Sequence, residues 1–450
     1  MASVSERFVI AFNGEIYNHL EIRELLETQF GAIQWLGHSD TETLLYAIDN
    51  WGLEKSLLNT VGMFAFALWD QQESKLILAR DRMGEKPLYY GWHQNELLFG
   101  SELKSLIAHP SFKKEINKDV LALYTKHFYI PAPYCIWQNT YKLLPGSYSV
   151  FSINGTLLET RQYWDAKKIV QSGKSQFILS AAESVDELES RLKRAVNLQM
   201  LSDVPLGAFL SGGVDSSTIV ALMQSLSSKR VKTFSIGFHE KKYNEAEFAK
   251  AVASHLGTDH NELYVTANDV LNLVPSIPKI YDEPFADSSQ LPTFLVMQMA
   301  RQNVSVALSG DAGDELFGGY SRYSQSLNAW KKIAILPLPI RMALTKVVGL
   351  LPEQAVNKLF GLILRDAVNY YDKMLKARKL LCAKDIDEFY HRMIMLWVNS
   401  EKLVKGAKPL PTVFENTDRW SYLTNPIERM MARDMESYLP DDILAKVDRS

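Results

Sequence analysis

The sequence predicts two successive halves, an α+β half followed by an α/β half with a parallel sheet. Three observations carry this. Between residues 63 and 100 four short apolar runs, MFAFALWD, KLILAR, PLYYGW and ELLFG, are separated by polar turns such as QQES and DRMGE, the pattern of an antiparallel meander. From Ser184 onward, strand-like runs alternate with stretches of helical apolar spacing, which predicts crossovers between parallel strands. Between the two patterns, residues 165–176 are polar and have the composition of a linker, so the division falls near residues 165–185.

Each element has its own local reason. Residues 7–12 form a short apolar strand, and residues 20–30 and 41–51 place apolar side chains at helical spacing. The four-run meander follows. In the second half AFL (208–210) reads as the end of a buried strand, 218–226 as a helix, TFSIGF (233–238) as a strand, 245–256 as a helix and ELYV (262–265) as a strand. A helical region, the strand VSVALSG (304–310) and further helices complete the chain, with no internal repeat.

Composition narrows the function classes. With 450 residues, two to three domains are expected, and 47% hydrophobic residues suffice for real cores. Forty-nine basic against 52 acidic residues leave a net charge of -3 without a long basic run, which argues against a nucleic-acid partner. Only Cys135 and Cys382 are present, far apart and outside any metal-ligand spacing, which excludes a disulfide scaffold or zinc site of the usual kind and fits a reducing compartment, the cytoplasm. The first residues carry no extended apolar h-region, and the apolar stretch 333–364 is broken by Pro337, Pro339, Pro352 and several charges, so neither a signal peptide nor a membrane span is expected.

Chemistry concentrates in two loops. The segment AFLSGGVDSS (208–217) places Ser211, Gly212, Gly213, Asp215, Ser216 and Ser217 where a strand turns into a helix. There, free backbone N–H groups and the positive end of the helix dipole favour an anion, and glycines let the backbone approach it closely. Hydroxyl donors suit a phosphate or pyrophosphate. The Gly-Lys-Ser/Thr ending of the Walker loop is missing, and Asp215 would repel phosphate unless a divalent cation lay between them, so the loop implies magnesium. A plain serine-glycine turn capping a helix is the alternative. The second loop, SGDAGDELFGGY (309–320), repeats the logic: Ser309 and Gly310 end a buried strand, with Asp311, Asp314 and Glu315 close behind. In open α/β sheets ligands bind beyond the carboxyl ends of strands, so both loops should open onto one crevice. Asp311 and Asp314 also fit a reading as helix-capping acids.

The stretches SDVPLGAFLSGGVDSS, TFSIGF, YNEAEFAKAVASHLGTDH and LSGDAGDELFGGY resemble the synthetase domain of glutamine-hydrolysing asparagine synthetases. FNGEIYNHLEIRELL, GHSDTETLL, GMFAFALWD and ARDRMGEKPLYYG resemble the glutaminase domain of the same family, and the resemblance runs along the whole chain in the family's order. It implies an N-terminal-nucleophile-type glutaminase domain of stacked antiparallel sheets with helices over residues 1–165, a linker at 166–184, and a parallel-sheet ATP-pyrophosphatase-type synthetase domain over 185–450. The implied reaction amidates L-aspartate through an acyl-adenylate, using ATP, magnesium and ammonia from glutamine, and yields AMP and pyrophosphate. By position, Ser211, Gly212, Gly213, Asp215, Ser216 and Ser217 would hold the pyrophosphate. Leu210, Ile236, Ser309 and Gly310 would line the adenosine, Asp215 and Asp314 would carry magnesium, and Asp311 would lie near the acyl centre. In the glutaminase half the resemblance implies Asn13 and Gly14 as the oxyanion-hole pair, and Asn13, Glu15 and Asp40 as binders of glutamine. A common turn is the alternative reading of Asn13-Gly14-Glu15.

The chain departs from the family's usual form in three ways. The usual ARDRFGIKPLYY has Met83 and Glu85 at two places here, with no evident functional meaning. The expected Met-Cys-Gly opening and the following strand are not matched, Cys135 and Cys382 are in no position to replace that nucleophile, and the end at Ser450 falls short of a further helical region expected to hold a lysine near the adenylate phosphate, with Lys446 in a different motif. These departures lead to the expectation of a partial glutaminase domain and a partial synthetase domain, a fragment of a longer enzyme. Three alternatives stay open: an amidotransferase acting on another carboxylate, a nucleotide-binding short form without catalysis, and, as to assembly, a homodimer. Residues 281–289, YDEPFADSS, are the candidate acceptor-carboxylate region.

Overall fold

The computed structural model describes residues 1–175, 177, 180–240, 244–348, 352 and 370–450. The stretch 333–364 therefore lies partly outside the described residues, among which no helix is long and apolar enough to cross a membrane. Among the described residues twelve strands are formed: β1 (Phe8–Ile16), β2 (Gly62–Asp70), β3 (Lys75–Arg80), β4 (Tyr89–His93), β5 (Glu96–Gly100), β6 (Thr140–Lys142), β7 (Ser147–Ser152), β8 (Leu157–Gln162), β9 (Leu206–Phe209), β10 (Lys232–Phe238), β11 (Asp259–Val265) and β12 (Val306–Leu308). They build an antiparallel sheet in the order β1-β2-β3-β7-β8, a second of order β5-β4-β6, and a parallel sheet of order β11-β10-β9-β12. The α+β half and the parallel-sheet half both stand as the sequence predicts.

The meander does not stay in one sheet. β2 pairs with β3 as expected, but the next neighbour of β3 is β7, while β4 and β5 join the other antiparallel sheet. The cause is the turn after β3. The buried Asp81 carboxylate accepts hydrogen bonds from the backbone N–H groups of Phe64 (3.2 Å), Met83 (3.1 Å), Glu85 (2.9 Å) and Lys86 (2.9 Å), winding the chain around itself. The buried Arg80 guanidinium donates to the carbonyls of Gly84 (2.7 Å), Lys86 (2.8 Å) and Leu143 (2.8 Å), fixing where β4 begins. A turn organised by two charged side chains redirects the chain instead of folding it straight back.

Side-chain alternation in β2 explains the two layers. Phe64, Phe66 and Leu68 face a core with Ile22, Leu26, Leu44 and Ile48 of the helices His19–Phe30 and Asp40–Trp51. The small residues Ala65 and Ala67 face Leu88, Leu143 and Phe151, with Tyr90 and Trp92 packed on them. Small residues on one sheet and aromatic ones on the other let the two faces interdigitate. The polar stretch expected to be linker carries the helix Ala166–Gly173, whose first turn is capped by Asp165 accepting from the Lys167 N–H at 3.0 Å.

The chain divides into two compact units. The first comprises Met1–Asn117, Pro131–Ala312 and Leu439–Ser450 and holds all three sheets. The second comprises Lys118–Ile130 and Gly313–Tyr438 and is helical, with a core of Tyr323, Phe389, Tyr390, Phe414 and Met430. At its centre the fully buried Asp434 accepts from Arg322 Nη2 (2.6 Å), Tyr323 OH (2.9 Å) and Tyr390 OH (2.5 Å). Three donors on one carboxylate oxygen offset much of the cost of burying the charge.

Candidate functional site

The order of the parallel sheet fixes where its ligand site lies. From β9 the chain moves outward to β10 and then β11, and β12 is added on the other side of β9. The reversal point is between β9 and β12, where loops leaving two neighbouring parallel strands diverge and open a crevice. In register, Leu308 is level with Ala208, so Leu210 and Gly310 leave the sheet side by side.

A cavity of about 300 Å³ lies there. Leu210, Ser211, Asp215 and Ser216 from the first loop, Ile236 from β10, and Ser309, Gly310 and Asp311 from the second loop all line it. Gly212, Gly213 and Ser217 belong to the same strand-helix junction without lining the cavity. Gly212 adopts φ +80°, and a Cβ there would come within 2.7 Å of the Ala249 N and Phe248 Cβ atoms, so only glycine fits. Gly213 is the N-cap of the helix Val214–Leu226 and brings no side chain to bond its first N–H groups, which leaves them for a ligand. Ser211 and Ser216 share a hydrogen bond at 2.9 Å between their hydroxyls, and the Ser217 hydroxyl is buried without a partner among the described residues. In the second loop Ala312 takes φ +77°, a strained conformation for a residue with a Cβ, directly after Asp311.

Asp314 lies in the second unit, on the five-residue helix Gly313–Phe317, while Asp215 lies in the first. Among the described residues no group of three or more His, Cys, Asp or Glu side chains converges on a metal position. The carboxylates that line the cavity are those of Asp215, Glu245 and Asp311.

The candidate residues of the first half gather at the end of β1. Asn13 donates from Nδ2 to Ser101 Oγ at 3.0 Å. Gly14 has φ +147°, and a Cβ there would fall 2.1 Å from the Met63 carbonyl oxygen across the ladder. Asp40 accepts from the backbone N–H of Ile16 (2.8 Å) and of Thr41 (2.7 Å), which fixes its carboxylate beside β1 at the start of its helix. The neighbouring Glu15 carboxyl is raised above the usual range by burial, with Asp40 and Asp203 adding to the effect.

Residues 281–289 do not line the cavity beside β9 and β12. Their acids are instead met by cations: Glu283 by Lys142 at 2.5 Å, Asp282 by Lys104 at 3.4 Å, and Asp287 by Lys446 at 3.0 Å. Lys446, set aside at the sequence level, is buried and also donates to Ser289 Oγ at 2.8 Å. Its one sequence signal is a lysine inside the apolar spacing of ILAKV. Burial by itself raises the Asp287 carboxyl, but Lys446 and Ser289 outweigh it and hold the group below the usual range.

A second cavity of about 520 Å³ adjoins the first, sharing Phe209 and Met297 with it. It extends to Met63, the ladder partner of Glu15, and to Glu85, Lys86 and the closing helix Leu444–Arg449.

Comparison with known proteins bears on both halves. The family model described as asparagine synthase matches residues 187–450, and the one described as glutamine amidotransferase domain matches residues 1–164. A Methanocaldococcus jannaschii protein named in the asparagine synthetase (glutamine-hydrolyzing) class is 39% identical over 345 residues, covering 74% of this chain and 62% of that protein. Asparagine synthetase (glutamine-hydrolyzing) 1 of Bacillus subtilis is 31% identical over 444 residues, covering 99% of this chain and 66% of its own length. The chain thus spans just under two thirds of these relatives. A solved structure titled as the allosteric regulatory enzyme of purine biosynthesis aligns over 61% of this chain and 72% of its own, at 13% identity and a TM-score of 0.28.

Proposed function

The chain belongs to the asparagine synthase family, and from that premise we propose that it is an ATP-dependent, glutamine-dependent ligase converting aspartate to asparagine. The observation that carries the reading is the cavity at the reversal point of the parallel sheet, where an uncapped helix N-terminus meets the hydroxyls of Ser211 and Ser216 and the carboxylates of Asp215, Glu245 and Asp311. The fit is chemical: N–H groups and hydroxyls suit phosphate oxygens, and the close approach of Gly310 and Gly212 to neighbouring backbone is what a loop wrapped on a polyphosphate needs.

In this reading ATP activates the aspartate carboxylate as an acyl-adenylate and pyrophosphate leaves. The N–H groups after Gly213, with Ser211 and Ser216, hold the pyrophosphate, and Leu210, Ile236, Ser309 and Gly310 hold the adenosine side. Asp215 would hold magnesium, which would screen the phosphate charge, and Asp314 is the second carboxylate proposed for it. Fixed donors aimed at the departing charge are the main catalytic contribution. Asp311 faces the acyl centre. Asn13 and Gly14 stabilise the oxyanion formed on glutamine, while Glu15 and Asp40 hold its amino end. The second cavity, reaching from the ladder partner of Glu15 to the nucleotide side, is the route for ammonia. The two unbridged cysteines suit a cytoplasmic setting.

The test is release of AMP and pyrophosphate by the purified protein with Mg-ATP, ammonium and aspartate. Dependence on aspartate is expected; equal or greater release with another carboxylate would move the acceptor, and none with any carboxylate would remove the ligase reading.

A further inference from the structure

Glu85 lines the cavity between the antiparallel and parallel sheets, facing a wall that is mostly apolar, with Phe209, Phe294, Val306 and Leu444 among its members. Its backbone N–H is committed to Asp81, but among the described residues its carboxylate accepts no hydrogen bond and joins no ion pair. The adjacent cation is taken: Lys86 Nζ lies 2.8 Å from Asp448 Oδ1 of the closing helix. A carboxylate left without a partner on an apolar cavity calls for a small cation or a proton.

We propose that the Glu85 carboxylate is an ammonium-binding and proton-accepting group on the ammonia route. The inference rests on the proposed ligase reading and deepens it. Only unprotonated ammonia has the lone pair that attacks an acyl centre, yet ammonia at neutral pH in water is mostly ammonium. Ammonium entering the cavity gives one proton to Glu85; the electron pair of the broken N–H bond stays on nitrogen as the lone pair, and the carboxylate becomes a carboxylic acid. Ammonia moves on toward the nucleotide side, and Glu85 returns its proton to solvent.

The charged surroundings suit a group that both takes and gives. Asp81, Arg80 and Lys86 stand on its own turn, and Tyr17 follows β1. Arg301 comes from the helix preceding β12, Asp448 and Arg449 from the closing helix, and Lys142 and Asp441 from a small adjoining cavity. Burial first, then Asp81 and Asp448, push the Glu85 carboxyl up to about 7 against the pull of Lys86, so both forms are populated at neutral pH. Proton transfer is most effective when the acceptor titrates near the working pH.

The experiment measures ammonium chloride-dependent AMP release, with saturating Mg-ATP and aspartate, across a neutral-to-alkaline pH series for the native protein, Glu85→Gln and Glu85→Asp. Expected is a rise of about tenfold or more in the KM for total ammonium in Glu85→Gln at neutral pH, partly restored in Glu85→Asp and vanishing at alkaline pH, where ammonia needs no acceptor. Mg-ATP affinity, measured separately by calorimetry, reports whether the nucleotide side is intact. A Glu85→Gln protein with the native KM at neutral pH overturns the proposal, as does a KM defect that persists unchanged at alkaline pH. If the native protein binds Mg-ATP but releases no AMP with ammonium and aspartate, the ligase reading and this inference fall together, whereas a Glu85 failure in an active protein removes only the inference.

Discussion

Gly310 stands directly against the backbone of Ser216: a Cβ at position 310 would lie 2.7 Å from the Ser216 amide nitrogen and 2.9 Å from the Asp215 carbonyl carbon. The two loops leaving β9 and β12 are thus in backbone contact, and the contact sets the width of the cavity between them. Gly310→Ala must push the loops apart, because backbone atoms cannot yield as a flexible side-chain end would. The expected costs are about 1–3 kcal/mol of stability from overpacking and a loss of Mg-ATP affinity of about tenfold or more. Thermal unfolding and calorimetric titration check the two separately. Unchanged affinity with a lowered Tm would mean that the junction supports the fold but not the nucleotide.

Asp215 supplies carboxylate charge at the start of an uncapped helix, where a bare phosphate and a carboxylate would repel one another. Asp215→Ala is expected to weaken Mg-ATP binding about tenfold or more, since one lost metal ligand costs more than about 1.4 kcal/mol. The same change should leave ATP binding without magnesium equal or stronger, because the repulsion is gone. Titrations with and without magnesium test the sign; equal weakening in both would assign Asp215 to the loop's shape and not to a metal.

How much of this was legible in the chain depends on distance along it. The alternation Phe64-Ala65-Phe66-Ala67-Leu68 states both the strand and its two unlike faces, since each neighbour is two residues away. The loops at 211–217 and 309–311 are readable because strand, glycine, hydroxyl and helix start follow one another locally. By contrast, β3 takes β7 as its second neighbour from about seventy residues onward, and nothing in DRMGEKPL announces that Asp81 will wind its turn. Lys446 meets Asp287 from 159 residues away and Lys86 meets Asp448 from 362, so neither partner could be found by spacing. Glu85 reads as a neutral departure in a motif, and only the cavity beside it gives the carboxyl a meaning.

The buried Lys446–Asp287 pair makes a directional prediction. Lys446→Met keeps the length of the side chain and strands the Asp287 carboxylate, an error expected to cost about 3 kcal/mol or more at neutral pH. In the native protein Asp287 titrates below its unfolded value, so its contribution is present above about pH 4 and is lost as pH falls through the folded value. In Lys446→Met the uncompensated burial raises the carboxyl instead. The gap in denaturation midpoint between the two proteins should therefore be widest at neutral pH and close as the medium is acidified. A gap that does not depend on pH would mean that Lys446 acts through its packing alone.

In the helical unit, His127 and His391 are both buried with their rings 5.7 Å apart and nearly parallel, at 11°, and His391 stacks on Phe414 at 4.5 Å. The Nε2 atom of each is buried without a hydrogen-bond partner among the described residues. Burial, reinforced by Lys126 and only partly opposed by Glu415, pushes His127 down to about 3; burial with Lys126, His127, Arg433 and Arg392 pushes His391 down as well. The folded unit thus holds both imidazoles neutral, whereas the unfolded chain protonates them near pH 6.5. Below that value the unfolded state binds protons that the folded state refuses, so stability falls on acidification, by about 1.4 kcal/mol per pH unit for each histidine until the folded value is reached. His127→Phe keeps a ring for the stack and removes one titrating group, so its stability should fall about half as steeply between pH ~6.5 and ~5 from this source. Hydrogen exchange of the helix Ile386–Ile394, followed in the intact chain at both pH values, isolates the effect from the rest of the molecule. If His127→Phe loses protection there as steeply with acid as the native protein, the paired imidazoles are not the acid-labile point of the unit, and the buried Asp434 cluster becomes the group to substitute next.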